Sequence, residues 1–337
     1  MDFIARPEYL VRDRFRTRCA RRNMSIPIII DCDPGHDDVF AIWLAAGNPN
    51  IDLRAITTVA GNGRIEHTTH NALVACTVAG IRDVPVARGA SGPLKGELRP
   101  AEWIHGANAL GGPVLPAPTI ELDDRDAVTL IADVLTASEE PVVLVPTGPL
   151  TNIAHLVQRH PELVSKIEGL IWMGGSTGRG NVSPYAEFNA WADPEAADIV
   201  LRSGVDFTMV GLNISHQALI TREVRARIAA LDSPLAAFGV ELLEYFCSTY
   251  EQFEGMPDGP LHDPITVAML AEPSVATSVR TRIDVECEGT QTRGATCVDL
   301  LNFLQRPANA TVALDLDVER FWSLIEDAVT ALGRVSA

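Results

Sequence analysis

IIIDCDPGHDDVFAIWL, residues 28–44, begins with three β-branched apolar residues and runs straight into a cluster of acids. Ile28, Ile29 and Ile30 suit a strand buried on both faces of a parallel sheet. Asp31 and Asp33 stand two apart, so on an extended backbone they point the same way. Pro34 and Gly35 break the strand, and Asp37 and Asp38 open an apolar helix. Four carboxylates are therefore expected to converge at the carboxyl end of one strand. Carboxylates crowded so closely repel one another, and the remedies are protonation of one member or a bound cation. A hard divalent ion is the simplest reading.

Outward from this stretch, strands and helices alternate. Residues 51–60 read as a second strand ending at Gly61-Asn62-Gly63, followed by a helix over about 65–79. A short strand at 84–87 precedes a long irregular stretch, 89–119, that holds Trp103 and His105; loops of that length inside a compact unit are usually functional or mobile. A helix near 127–137, a strand at 141–145 and the turn Pro146-Thr147-Gly148-Pro149 follow, then a helix from about Leu150. The strand 169–173 runs into Gly174-Gly175 and a polar loop to Asn189, and a helix at 194–201 leads to a strand at 207–211. This alternation predicts an α/β fold: a mostly parallel, Rossmann-like open sheet flanked by helices, with ligands beyond the carboxyl ends of the strands. Residues 221–253 read as one long helical stretch that caps the site. Residues 281–314 read as antiparallel strands, making a small antiparallel C-terminal portion, and 318–332 as a closing amphipathic helix.

Composition narrows the function classes. With 337 residues and 47% hydrophobic content the chain can bury a large core. No apolar run reaches the about 18 residues of a membrane span. A net charge of -17 argues against a nucleic-acid surface, which needs clustered Lys and Arg, and suits a neutral small molecule or a cation. Six scattered cysteines without ligand spacing argue against zinc and for reduced thiols in the cytoplasm. Residues 1–23 carry seven arginines and little apolar content; they read as a disordered extension, with 24–337 as one domain.

Strand-end polar groups recur beyond what a sheet requires. Asn62 follows the second strand, Thr147 the fourth and Met173 the fifth, while Asn181, Glu187, Asn189 and His262-Asp263 join from later loops. Oxygen donors around a cation, with Asn and Asp for hydroxyl groups, suit a metal-bound polyol. Blander readings compete. Asp37 and Asp38 serve equally as first-turn acids favouring the helix dipole, Asn62 and Asn189 as turn formers, and Cys32 as a packed thiol whose acidic neighbours raise its pKa. No Gly-Lys-Ser/Thr follows the glycines at 174–180, and there is no Gly-x-Ser-x-Gly elbow.

DCDPGHDD at 31–38 resembles the N-terminal motif of the inosine-uridine preferring nucleoside hydrolases. The resemblance continues through AITTVAGN at 55–62, HGANALG at 105–111, VPTGPLTN at 145–152, MGG at 173–175, NVSPYAEFNAWADPEAA at 181–197 and HDP at 262–264. It implies a single Ca²⁺ held by Asp33, Asp38, Asp263 and the main-chain carbonyl of Thr147. It implies ribose binding by Asp37, Asn62, Met173, Asn181, Glu187, Phe188 and Asn189, with Asp33 as general base. His262, with His105 beside it, would face the base and assist its departure. Phe246 and Tyr250, four apart on the covering helix, resemble the aromatic pair of members that tolerate both purines and pyrimidines. A homodimer or homotetramer follows by resemblance alone.

The match has departures: Ala109 stands where glycine is common, and Asn213 where Asp is frequent. The expected activity is Ca²⁺-dependent hydrolysis of the N-glycosidic bond of a ribonucleoside. The alternatives are a catalytically silent nucleoside- or ribose-binding protein on the same fold and a magnesium-dependent phosphatase using Asp31 or Asp33.

Overall fold

The computed structural model describes residues 25–334; the expectation for residues 1–23 lies outside them. Eight strands form the main sheet. In chain order they are β1 (Ile26–Cys32), β2 (Ile51–Thr58), β3 (Val86–Arg88), β4 (Val142–Pro146), β5 (Ile167–Met173), β6 (Phe207–Val210), β7 (Ala276–Thr281) and β10 (Ala310–Leu316), with β8 (Ile283–Val285) and β9 (Thr296–Val298) pairing separately. The sheet order is β3-β2-β1-β4-β5-β6-β10-β7. All its pairings are parallel except β10 with β7.

β1 sits where the order reverses, with β2 on one side and β4 on the other. That switch point opens a crevice at the carboxyl ends of the strands, where such sheets bind ligands. The isoleucines show why β1 is central. Ile28 and Ile30 pack into the core that holds the helices His36–Gly47, Pro264–Ala271 and Val318–Gly333. Ile29 points the other way, into the core of the helices Ala127–Ala137, Thr151–Arg159 and Pro194–Leu201. The period-2 alternation of the strand thus fills both faces.

The covering region differs from the single helix expected over 221–253. It is two helices, Arg222–Ala229 and Pro234–Glu254. Asp232 takes φ +50°, Ser233 caps the second helix by accepting from Ala236 N, and Pro234 occupies its first turn, where a missing N–H costs nothing. The tail also differs. Of residues 281–314 only β8 and β9 form a separate antiparallel pair. β10 inserts between β6 and β7, parallel to β6, so the tail completes the main sheet. Asn213 helps fix it there by donating from Nδ2 to Ala313 O at 2.8 Å.

The closing helix Val318–Gly333 lies on the helix His36–Gly47 at closest range around Gly47. A Cβ there would stand 2.7 Å from Ala328 O and 2.8 Å from its Cα. Gly47→Ala should therefore lower the thermal midpoint, although alanine is favoured over glycine in helices by about 1 kcal/mol. A raised midpoint in a melting experiment would contradict this packing.

Candidate active site

The acids after β1 part company. Asp31 Oδ1 accepts from Thr57 Oγ1 at 2.6 Å and Asn152 Nδ2 at 2.8 Å, tying β1 to β2 and to the helix Thr151–Arg159. Asp31 is thus engaged between structural elements instead of joining the convergent cluster, and burial pushes its carboxyl up to about 7. Asp33 lies past the end of the strand. Its Oδ2 accepts from Asn62 N at 2.7 Å, and its Oδ1 is buried without a partner. A Cβ at Gly61 would overlap Asp33 Oδ2, so the glycine is what lets the β2 loop approach this carboxylate.

Asp38 takes four bonds. Its Oδ2 accepts from Gly35 N at 2.9 Å and Asn62 Nδ2 at 3.2 Å, and its Oδ1 from Thr147 Oγ1 at 2.7 Å and Asp33 N at 3.3 Å. Asp37, Asp38 and Asp263 each place one carboxylate oxygen within 4.8 Å of the other two. No oxygen of Asp33 joins that group. Burial first, and then the neighbouring carboxylates, raise Asp33 and Asp263 well above the usual carboxylate range and Asp37 to about 8; burial also raises Asp38. Among the described residues no Lys or Arg pairs with any of the four. Buried acids without a basic partner, two of them with an unpartnered oxygen, fit a hard cation.

Above the acids lies a cleft of about 550 Å³, partly open to solvent. Its lining includes Asp37, Asn62, His105, Thr147, Met173, Asn181, Glu187, Phe188, Asn189, Phe246, Tyr250, His262 and Asp263. Those are all the residues expected at the site except Asp33 and Asp38.

Comparisons with known proteins identify the family. The family model described as inosine-uridine preferring nucleoside hydrolase matches residues 28–323. The chain belongs to this family. It is 47% identical over 305 residues to a protein named pyrimidine-specific ribonucleoside hydrolase RihA from Photobacterium profundum, covering 90% of this chain and 98% of that one. The RihA of Escherichia coli strain K12 is 45% identical over the same shares. Among solved structures, a purine-preferring ribonucleoside hydrolase from Gardnerella vaginalis superposes with a TM-score of 0.85 at 32% identity, covering 92% of this chain and 99% of that one. The chain is a nucleoside N-ribosyl hydrolase acting on ribonucleosides. The family is metal-dependent, in keeping with the buried acidic cluster.

In this nucleoside hydrolase the far wall of the cleft is built on one helix start. Glu187 caps the helix Phe188–Ala192: Oε1 accepts from Asn189 N at 2.9 Å, and Oε2 from Ala190 N at 3.0 Å and Gly175 N at 2.7 Å. Burial still pushes its carboxyl up to about 7. Asn189 Nδ2 donates to Thr147 O at 2.7 Å and to Met173 O at 3.0 Å, joining the ends of β4 and β5. Asn181 Oδ1 accepts from Phe188 N at 3.0 Å.

The wall that carries Phe246 and Tyr250 is aromatic. Phe246 and Tyr250 meet edge to face with ring centroids 4.9 Å apart. Tyr250 Oη lies 2.8 Å from His262 Nε2, and Ser215 Oγ 2.8 Å from His262 Nδ1. Burial holds the His262 and His105 rings well below the ordinary histidine range and the Tyr250 phenol well above its own. Sequence reasoning missed Ser215, whose neighbourhood carries no motif, and the lining residues Ile104, Val182 and Glu254. It also passed over Thr57, Asn152 and His36, although Asn152 and His36 stand inside the motifs VPTGPLTN and DCDPGHDD. Ala109 sits at φ +58°, the left-handed region glycine favours, which explains why glycine is common there.

Glu187→Ala would leave three backbone N–H groups without their acceptor. A loss of about 1–3 kcal/mol in folding free energy, read from urea unfolding, is expected; an unchanged midpoint would mean water replaces the cap at no cost.

Proposed function

We propose that the chain uses Ca²⁺ to hydrolyse ribonucleosides, with pyrimidine ribonucleosides as the preferred class. The carrying observation is one cleft with an acid floor, an unpartnered Asp33 oxygen behind it and a His262–Tyr250 pair on its wall. Preference for pyrimidines draws on the printed specificity of the relatives at 45–47% identity, against purine preference in a structure at 32%. This narrows the sequence-based lean toward both base types.

In the proposed mechanism Asp33, Asp38, Asp263 and Thr147 O would hold the ion, the set the resemblance implies, and the convergence of Asp38 and Asp263 with Asp37 supports its place. When bound, the ion supplies Lewis acidity and a fixed charge that orients water and ribose hydroxyls. Asp33 Oδ1 takes the proton of the attacking water. Asn62, Asp37, Asn181, Glu187 and Asn189 hold the ribose. Water attacks C1′ as the C1′–N bond breaks through an oxocarbenium-like sugar. The surrounding carboxylates and amide oxygens stabilise positive charge where it develops. The His262–Tyr250 pair passes a proton to the departing base. Assembly into two or four copies and a cytoplasmic location follow from the same resemblance.

Release of reducing sugar from uridine and inosine tests the activity; binding without release would favour the silent binder. Chelator-treated protein should regain turnover with Ca²⁺. Asp33→Ala should lose about 10²–10⁴-fold in kcat and bind Ca²⁺ more weakly by calorimetry; near-wild-type turnover would remove Asp33 as the base. His262→Ala should slow inosine cleavage far more than cleavage of p-nitrophenyl riboside, whose leaving group needs no proton. Equal losses on the two substrates would eliminate the leaving-group role.

A further inference from the structure

Two buried histidines face each other at the edge of the cleft. His36 comes from the first turn of the helix His36–Gly47 and is 0% exposed; His105 ends the short helix Glu102–His105 and lines the cleft. Their Nδ1 atoms are 3.1 Å apart, and His36 Nε2 is 2.8 Å from Gly111 O. A carbonyl oxygen only accepts, so His36 Nε2 carries the hydrogen. A neutral imidazole has one N–H, which leaves His36 Nδ1 as a bare acceptor. His105 Nδ1 must then be the donor across the 3.1 Å contact. The remaining nitrogen of His105, Nε2, carries no hydrogen and has no protein partner among the described residues.

The surroundings favour this arrangement. The His36 ring stacks against both Tyr245 and Phe246, with centroids 5.3 and 5.2 Å away and planes within 15°, and no carboxylate hydrogen-bonds to it. A cationic ring there would be fully buried with no carboxylate to pair with, so the neutral ring is favoured. With the hydrogen of His105 on Nε2 instead, two lone pairs would face each other across the contact. Gly35 completes the device. A Cβ at that position would overlap His105 Nδ1 and stand 2.6 Å from Cε1, so the glycine before His36 is what lets the ring of His105 reach it.

We infer that His36 is a positioning residue that locks His105 with its hydrogen on Nδ1, so that His105 Nε2 presents the nucleoside with a hydrogen-bond acceptor and not with an acid. The inference rests on reading the cleft as the nucleoside site. A ribose hydroxyl or an N–H of the base can bond to that nitrogen; a carbonyl or a bare ring nitrogen cannot. The proton for the leaving base then has to come from the Tyr250–His262 side.

The test is the side-chain nitrogen NMR of ¹⁵N-histidine-labelled full-length protein, joined to kinetics. In the wild type His105 should show a protonated Nδ1 and a bare Nε2, and His36 the reverse. His36→Phe keeps the stack and removes both bonds. It should let His105 populate the other tautomer and lower kcat/KM for uridine about tenfold, a loss of one or two hydrogen bonds, mostly through KM. His36→Asn places an amide oxygen near the old Nδ1 and should restore the His105 tautomer and most of the affinity. A loss confined to uridine assigns the bonded group to the base, and an equal loss with p-nitrophenyl riboside assigns it to the ribose. A wild-type His105 protonated on Nε2, a tautomer unchanged in His36→Phe, or identical kinetics for the Phe and Asn variants overturns the inference. Should the wild type cleave no ribonucleoside, the functional reading fails by itself, while the wild-type spectrum still decides the lock.

Discussion

Like charges confined away from water are the constraint under which this site is built. Asp37, Asp38 and Asp263 place carboxylate oxygens within 4.8 Å of one another, and Asp33 adjoins them through the hydrogen bond its amide donates to Asp38; each of the four is at most 5% exposed, with no basic side chain among the described residues to neutralise them. In such a place the ionised forms are costly, and each carboxyl drifts toward holding its proton. A cation resolves the conflict, because it converts mutual repulsion into shared attraction. The cluster is thus unfavourable for the bare fold and favourable for a metal-loaded one.

The scaffold contains that repulsion by spending backbone donors on it. Asp38 is gripped by the amides of Asp33 and Gly35 and by the Thr147 hydroxyl, and Asp33 by the amide of Asn62. These donors come from the ends of β1, β2 and β4, three neighbouring strands, so the switch point of the sheet is also where carboxylates can best be satisfied. Glu187 follows the same logic on the far wall, its charge facing a helix start and the amide of Gly175.

Burial moves the two chemical classes in opposite directions. It lifts the carboxyls and depresses the imidazoles, so acids that accept protons share the cleft with rings that stay neutral. Neutral rings have direction: each has one donor and one acceptor, and the partners around it choose which is which. Ser215 and Tyr250 flank the His262 ring, Gly111 O fixes the His36 ring, and His36 in turn fixes that of His105. The geometry of hydrogen bonds, more than charge, therefore sets what this wall can offer.

Much of this was legible in the chain because it is local. Three successive isoleucines followed by acids, Pro and Gly specify a two-faced strand that ends in a turn, and spacing alone puts Asp37 and Asp38 at a helix start. Asn62, Thr147 and Met173, recurring after the second, fourth and fifth strands, marked the rim of one crevice, and the family motifs named the chemistry. What local pattern could not decide was partnership across the sheet. Asp31 looked equivalent to Asp33 until Thr57 and Asn152, which come from other elements, claimed it. β10 looked like one of a small set of antiparallel strands until β6 offered it a parallel edge in the main sheet. The tautomers of His36 and His105 depend on atoms 69 residues apart. The sequence by itself determined which groups stand at the strand ends, since side-chain direction follows from backbone period. Only the tertiary structure decided which of them share a proton, an amide or a void, because those choices are made by residues distant in the chain that packing brings within 3 Å.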